Sequence, residues 1–274
     1  MRGDQVDSAL FVVILLAATL MPWFRQSSSE AQPQTKPQTV LRVVSLVMAW
    51  VVFVVTLFSP LAQSNIHHWM GGTALLYTLQ PLVGVPLLLT GLPPTFDLAQ
   101  RLRKRRLNLL VHPMLALVLF NTAYSLAFHP FLVNWSMQSF GHTLITLAVL
   151  DLFAILLWWP VVHPSEANPV SDGPEVLYLL GNKIASMPIG FVLLGTQTRL
   201  YPIPTQPPVH GLFTLMVDQQ LAAAVIFSVP LLIFSVAAAA VFLRWFSAQR
   251  QHEHEGHWAE VIPLPYGESM NTTR

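Results

Sequence analysis

Long apolar segments with almost no charged residue are the feature that most constrains this chain. A helix that crosses the roughly 30 Å hydrocarbon layer of a bilayer needs about 20 such residues. Seven segments approach or reach this length, and the first is the shortest: 10–24, 40–61, 69–92, 107–128, 143–162, 176–197 and 220–246. The sequence therefore predicts an all-α fold, a polytopic bundle of seven transmembrane helices in a lipid bilayer.

The composition excludes several other classes of protein. Only 10% of the 274 residues are charged, against about 25% in a typical soluble domain, so a water-soluble globule is excluded. The formal net charge of +1 gives no sign of a nucleic-acid partner. The chain has no cysteine, which excludes disulfides, thiolate metal sites and cysteine nucleophiles. Residues 1–274 are predicted to form one integral membrane domain.

The distribution of basic residues predicts the orientation of the spans. If seven spans alternate, Arg2 and Arg199 lie on one side of the membrane and Lys183 lies inside a span. The remaining basic residues lie on the other side: Arg25, Lys36, Arg42, Arg101, Arg103, Lys104, Arg105, Arg106, Arg244, Arg250 and Arg274. Because cytoplasmic loops are enriched in Lys and Arg, we expect an N-out, C-in protein. Residues 247–274 are then a cytoplasmic tail, and the Gln/Ser/Pro-rich stretch 26–39 is a flexible connector.

The first segment, 10–24, has a second interpretation as a signal peptide. Asp4 and Asp7 accompany Arg2 before it, whereas Arg25 and Lys36 follow it. A signal peptide begins with a basic region, which this pattern lacks. We therefore expect an uncleaved helix whose N-terminus lies outside.

Histidine and methionine collect near the predicted outer ends of spans three to seven. Imidazole and thioether groups are ligands that copper accepts without cysteine, and zinc is an alternative for the His and Asp subset. Short loops at a membrane interface also collect such residues without any metal, beside tryptophans such as Trp69 and Trp135. The residues of this margin are His67, His68, His129, His142, His210, Met70, Met137, Met216 and Asp218.

Two charged residues lie well inside predicted spans, away from the span ends, and are predicted to pair. Asp151 lies near the middle of the fifth span and Lys183 in the antiparallel sixth, where an isolated charge is costly. We expect the two side chains to face each other, with Asn182, Asn121 and Gln80 as hydrogen-bond partners. The alternative is a proton relay or a small membrane transporter whose path includes Asp151, Lys183 and Asn121.

Motifs of common enzymes are absent from the sequence. It contains no GxxxxGK[ST] phosphate loop, no HExxH zinc motif, no GxSxG nucleophile elbow and no GxGxxG dinucleotide motif. We therefore expect a protein that is not an enzyme.

Five short segments, in order along the chain, carry a resemblance to a known family. They are HHWMGGTALLYTLQPLVGVPLL from His67, FHPFLVN from Phe128, SFGHTLITLAVLDLFAILLWWPVV from Ser139, LLGTQTRLYP from Leu193 and DQQLAAAVIFSVP from Asp218. The last segment is the most specific, because its Asp-Gln-Gln-Leu-Ala start precedes an apolar span and a proline. Between about residues 67 and 246 the chain resembles the CtaG-like cytochrome c oxidase assembly proteins.

This resemblance implies a role in the assembly of a bacterial haem-copper cytochrome c oxidase. It implies that copper is supplied to the catalytic subunit from the extracytoplasmic side, with oxidase subunits as partners and the bacterial cell (inner) membrane as the location. The candidate metal ligands are His68, His129, His142 and Asp218, which match polar positions of the family, and Met70 and Met216, whose thioethers suit Cu(I).

The sequence departs from the family pattern at two places. The family usually has a second histidine four residues after the one that His68 matches, where this chain has Gly72. A His-Glu-His cluster of the fifth span is reduced to His142. These departures leave three hypotheses open: weak copper binding, copper ligands shared with a partner, and a scaffold that binds no metal.

Overall fold

The computed structural model describes residues 36–58, 69–93, 109, 112–162, 172–198, 200–201 and 215–261, and all secondary structure in these ranges is helical. The helices are α1 (Lys36–Phe58), α2 (Met70–Leu79), a π-helical turn (Gln80–Gly84), α3 (Val85–Gly91), α4 (Pro113–Ala127), α5 (Pro130–Ser136), α6 (Phe140–Val162), α7 (Asp172–Gly195) and α8 (Leu215–Val261).

The described helices confirm a polytopic membrane bundle. Five helical segments are long and apolar enough to cross a membrane: Thr39–Phe58, Met70–Gly91, Phe140–Val162, Pro174–Gly195 and Val217–Ser247. The pair α4 and α5 gives a sixth if the two helices, bent by 70° against each other, form one broken span. These six correspond to the predicted spans two to seven, and the predicted first span, 10–24, lies outside the described residues. The chain is a multi-pass membrane protein.

The span Met70–Gly91 lies at the centre of the described bundle. Its most apolar stretch is 72% buried, against 28% for each of the spans Thr39–Phe58 and Val217–Ser247. Helix α8 packs on α2, α1 packs on the π-helical turn and α3, and α6 packs on the same two elements. Helix α4 lies between α6 and α7, and α7 packs along α8. The central span therefore packs on three other spans, and its Thr78 hydroxyl also lies 2.8 Å from the Tyr124 hydroxyl of α4.

Two prolines account for the π-helical turn in this central span. Pro81 and Pro86 have no backbone N–H, so the carbonyl groups four residues before them lose their usual donors. The Val85 N–H donates to the Gln80 carbonyl five residues earlier, and not to a carbonyl four residues earlier as in an α-helix, which widens the helix locally. The wider turn carries the buried polar side chain of Gln80 into the interior of the bundle.

The loop predicted after the fourth span contains the short helix α5. Pro130 begins α5, and a proline disfavours helical backbone at the residue before it. His129 accordingly has an extended conformation, with ψ of 135°, and the chain turns there. Helix α4 has 15 residues, about 22 Å of helix, which is shorter than the hydrocarbon layer. The bent pair therefore covers this side of α6 with two helix directions instead of one.

Helix α8 extends well beyond a membrane-spanning length. Its 47 residues make about 70 Å of helix, more than twice the hydrocarbon thickness. The apolar part ends at Ser247, so the predicted cytoplasmic tail 247–274 begins as a helix that continues to Val261. Residues 36–39 of the predicted connector 26–39 are likewise helical, since α1 begins at Lys36. The other residues of the connector and of the tail lie outside the described ranges.

Candidate functional site

Six helices meet at the end of the bundle that carries the candidate metal ligands. We call it the histidine end: the N-termini of α2, α6 and α8, the C-termini of α4 and α7, and α5. The Tyr201 hydroxyl, after α7, donates to the Phe128 carbonyl at 3.0 Å. The Gln219 side chain in α8 accepts the Leu200 N–H at 3.1 Å and donates to the Thr198 carbonyl at 3.3 Å. These bonds fix the end of α7 to α4 and α8.

Sequence reasoning assigned no role to Gln219 or Tyr201. Both residues lie in the short segments that carry the family resemblance, DQQL and RLYP, so the sequence signal existed. The segments do not show which groups these side chains bind, because the partners are backbone groups of other elements. Both side chains connect elements of the histidine end.

Asp218 joins the N-terminus of α8 to that of α2. Its Oδ2 accepts the Met70 N–H at 2.8 Å and its Oδ1 accepts the Gly71 N–H at 2.9 Å. The first N–H groups of a helix have no partner within the helix, and the helix dipole favours a negative group there. A Cβ atom on Gly71 would lie 3.2 Å from Asp218 Oδ1 and 3.0 Å from a Leu221 methyl group. The predicted metal ligand Asp218 therefore caps α2, and glycine at position 71 allows its close approach.

His142, in the first turn of α6, has a fixed orientation and a defined tautomer. Its ring stacks on that of Trp135, with centroids 4.2 Å apart and planes 13° from parallel. Its Nδ1 lies 2.9 Å from the Trp135 carbonyl oxygen, which only accepts hydrogen bonds, so Nδ1 carries the proton. In the neutral ring the lone pair is then on Nε2, which has no hydrogen-bond partner among the described residues. The half-buried imidazole thus offers one open ligand atom.

His129 has the opposite arrangement. Its Nδ1 accepts the Phe131 N–H at 3.3 Å, so its side chain caps the N-terminus of α5. In the neutral ring the proton is then on Nε2. The exposed imidazole of His129 presents a donor to its surroundings, and a metal ion would have to displace the cap or the proton.

The candidate ligands within the described residues divide into two groups. Asp218 and the buried Met70 lie where α8 meets α2. His129 and His142 lie at the two ends of α5, whose seven residues span about 10 Å. No group of three or more His, Asp or Glu side chains suited to a metal ion occurs in the described part of the chain.

Two further candidates fall outside what is described. His68 lies outside the described residues, two positions before Met70 in the sequence, and Met216 belongs to α8 two positions before Asp218, with its side chain outside the description. The metal-binding role of both residues therefore stays a prediction.

A chain of polar side chains crosses the middle of the bundle. The Thr56 Oγ1 of α1 lies 3.1 Å from Gln80 Oε1, and Gln80 Nε2 lies 2.6 Å from Asp151 Oδ2 of α6. The predicted contact between Gln80 and Asp151 is thus present.

A second polar contact joins α4 and α7. Asn121 of α4 donates to the Asn182 side chain of α7 and to its own helix at the Leu117 carbonyl, 2.9 Å away.

The predicted direct pair of Asp151 and Lys183 is wrong. The Lys183 ammonium donates to the Phe227 carbonyl of α8 at 3.0 Å and lies over the Phe227 ring, 4.5 Å from its centroid. Asp151 contacts Gln80 instead. The positions of two residues along antiparallel helices indicate their depth in the bilayer but not the direction in which each side chain leaves its helix.

Lys183→Met is expected to leave the protein as stable as the wild type, within about 1 kcal/mol. The change removes a buried cation from the membrane interior and keeps an unbranched side chain of similar length. Thermal unfolding in detergent measures the effect, with Lys183→Ala as the comparison that also leaves a cavity. Unfolding of Lys183→Met together with full retention in Lys183→Arg would contradict this, since it would show that the charge is required.

Searches of curated proteins and of solved structures each found no match. A sequence model of the cytochrome c oxidase caa3 assembly factor family matches residues 18–248. This range includes every described helix of the bundle up to the apolar end of α8, with Asp218, His129 and His142. The chain therefore belongs to the cytochrome c oxidase caa3 assembly factor family.

Proposed function

We propose that this assembly factor binds Cu(I) at its histidine end and passes it to the nascent oxidase, without catalysing a reaction of its own. The observation that carries the proposal is the orientation of the His142 ring and the hydrogen bond of its Nδ1. Histidines that ligate metals commonly donate their other ring N–H to a carbonyl or carboxylate, which orients the ring. The bond from His142 Nδ1 to the Trp135 carbonyl and the stack on the Trp135 ring supply this support before any metal binds.

The remaining donor set suits transfer of copper as cargo. Imidazole and thioether ligands accept Cu(I), and the chain has no thiolate to hold it firmly. Asp218 and His129 are engaged as helix caps. One open imidazole leaves coordination positions on copper for ligands of the protein that delivers it and of the oxidase that receives it. Copper is therefore held weakly and is easily passed on. His68, Met70 and Met216 are the candidates for additional ligands from this chain.

The first test is the copper content of the purified protein. Wild type and His142→Ala are purified in detergent under reducing conditions and loaded with Cu(I). We expect at least a tenfold loss of affinity in His142→Ala, about 1.4 kcal/mol. His129→Asn is the matched control, because asparagine keeps a capping acceptor at that position, and it should bind copper as the wild type does.

Two outcomes would contradict the proposal. Equal copper binding by wild type and His142→Ala would place copper elsewhere, and absence of binding by both would leave a metal-free scaffold. In cells, loss of the protein should leave the catalytic subunit present but inactive and poor in copper. A change in transport of a solute, independent of whether the oxidase is made, would instead favour a transporter.

A further inference from the structure

The Thr56–Gln80–Asp151 chain joins α1, the π-helical turn and α6 in the interior of the membrane-spanning region. Its three side chains are buried, with exposed fractions of 2%, 0% and 8% respectively. One carboxylate oxygen of Asp151 is 2.6 Å from the Gln80 amide. The other, Oδ1, is buried and has no hydrogen-bond partner among the described residues.

An ionised Asp151 is poorly supported by these surroundings. A buried carboxylate needs several hydrogen-bond donors or a cation, and in a membrane the need is greater. Within the described helices Asp151 has one neighbouring donor, the Gln80 amide. Lys183 directs its ammonium to the Phe227 carbonyl, and Arg244 pairs with Glu175 at 2.8 Å near the other end of the bundle.

The distances along the chain fit a neutral carboxylic acid. The nitrogen and oxygen of an amide are alike in shape, so the Gln80 amide can be turned by 180° without moving its neighbours. Oε1 then faces Asp151 at 2.6 Å, a length usual for O–H···O and short for N–H···O bonds. Nε2 faces Thr56 Oγ1 at 3.1 Å, a usual N–H···O length.

With the amide turned, every proton of the chain still has an acceptor. In this arrangement Asp151 O–H donates to Gln80, the Gln80 N–H donates to Thr56, and the Thr56 O–H donates to the Val52 carbonyl of its own helix at 2.8 Å. Every bond has the length expected for its atoms. The unpartnered Asp151 Oδ1 is then the carbonyl oxygen of a neutral acid. Burying it costs less free energy than burying a charged carboxylate oxygen.

We propose that Asp151 binds a proton in the interior of the membrane and that the resulting neutral chain ties α1 and α6 to the π-helical turn. The proton takes the place that a counter-ion would otherwise fill. The site is separate from the histidine end and does not depend on copper.

Infrared difference spectroscopy of wild type against Asp151→Asn tests the proposal. We expect the wild type to show the C=O stretch of a protonated carboxyl group at neutral pH and Asp151→Asn to lack it. The variant should remain folded, because an asparagine N–H can donate to Gln80 Oε1 in the same place. Appearance of the two carboxylate stretches in the difference spectrum, with no C=O band of an acid, would overturn the proposal.

Two further variants test the bond itself. Gln80→Ala removes the acceptor of the Asp151 proton, so the C=O band should move to higher frequency. Thr56→Val is the matched control, since it keeps the Asp151–Gln80 contact and should leave the band in place. These spectra do not require Asp151→Asn to fold: a band that stays unshifted in Gln80→Ala would show that Asp151 does not donate to Gln80.

Discussion

Asp218→Ala is expected to destabilise the protein by about 2–5 kcal/mol, because it removes the acceptor of two buried backbone N–H groups. These N–H groups, on Met70 and Gly71, begin the central span and lie 2.8 and 2.9 Å from the carboxylate oxygens. Alanine leaves both donors without a partner and also removes the favourable charge at the helix terminus. The midpoint of thermal unfolding in detergent, together with the amount of folded protein in membranes, measures the loss.

Asp218→Asn separates the cap from a metal-binding role. Asparagine keeps one acceptor oxygen and is a good residue at a helix N-terminus, so it should recover at least half of the lost stability. It should also bind copper as the wild type does if Asp218 acts as a cap. Loss of copper from a folded Asp218→Asn protein would instead return Asp218 to the set of metal ligands.

Gly91→Ala is expected to destabilise the protein by about 1–3 kcal/mol, because α1 and α3 approach each other too closely for a methyl group. A Cβ atom on Gly91 would lie 2.9 Å from the Leu46 Cβ and 3.0 Å from its Cα and backbone nitrogen. Since backbone atoms of α1 are involved, the contact cannot be relieved by rotating a side chain. The two helices would have to separate, and thermal unfolding in detergent would report the loss.

Gly195→Ala is the matched control for this change. A Cβ atom there has no neighbour within 4 Å, and it is the last residue of α7. Replacing a helical glycine by alanine gains about 0.5–1 kcal/mol where space allows, so Gly195→Ala should be neutral or slightly stabilising. Equal stability of Gly91→Ala and Gly195→Ala would show that α1 and α3 can separate at no cost.

Length and apolarity were sufficient to predict most of the fold. A span of about 20 residues without charge has no stable alternative to a helix in a bilayer, because every backbone N–H and C=O must be bonded within it. The predicted spans two to seven therefore correspond to described helices. The π-helical turn and the direction of α5 were not predicted, although prolines at 81, 86 and 130 mark both places, since a proline removes a bond without specifying what replaces it.

The candidate site was predicted as a collection of residues but not as a geometry. His129 and His142 both lie near α5, yet one accepts an N–H through Nδ1 and the other donates from Nδ1. The same residue type thus presents a donor in one case and an open ligand atom in the other. Sequence position does not determine this difference, because it depends on which backbone group stands next to each ring.

The sequence by itself determined that the chain is a helical membrane protein, to which family it belongs, and which polar residues enter the bilayer. These properties follow from local composition and from short motifs. The partners of those polar residues depended on packing: Asp218 bonds to Met70, 148 residues away, and Asp151 to Gln80 instead of Lys183. The reason is physical, since a hydrogen bond requires atoms within about 3 Å in a set direction, and helix packing alone establishes that distance between remote parts of a chain.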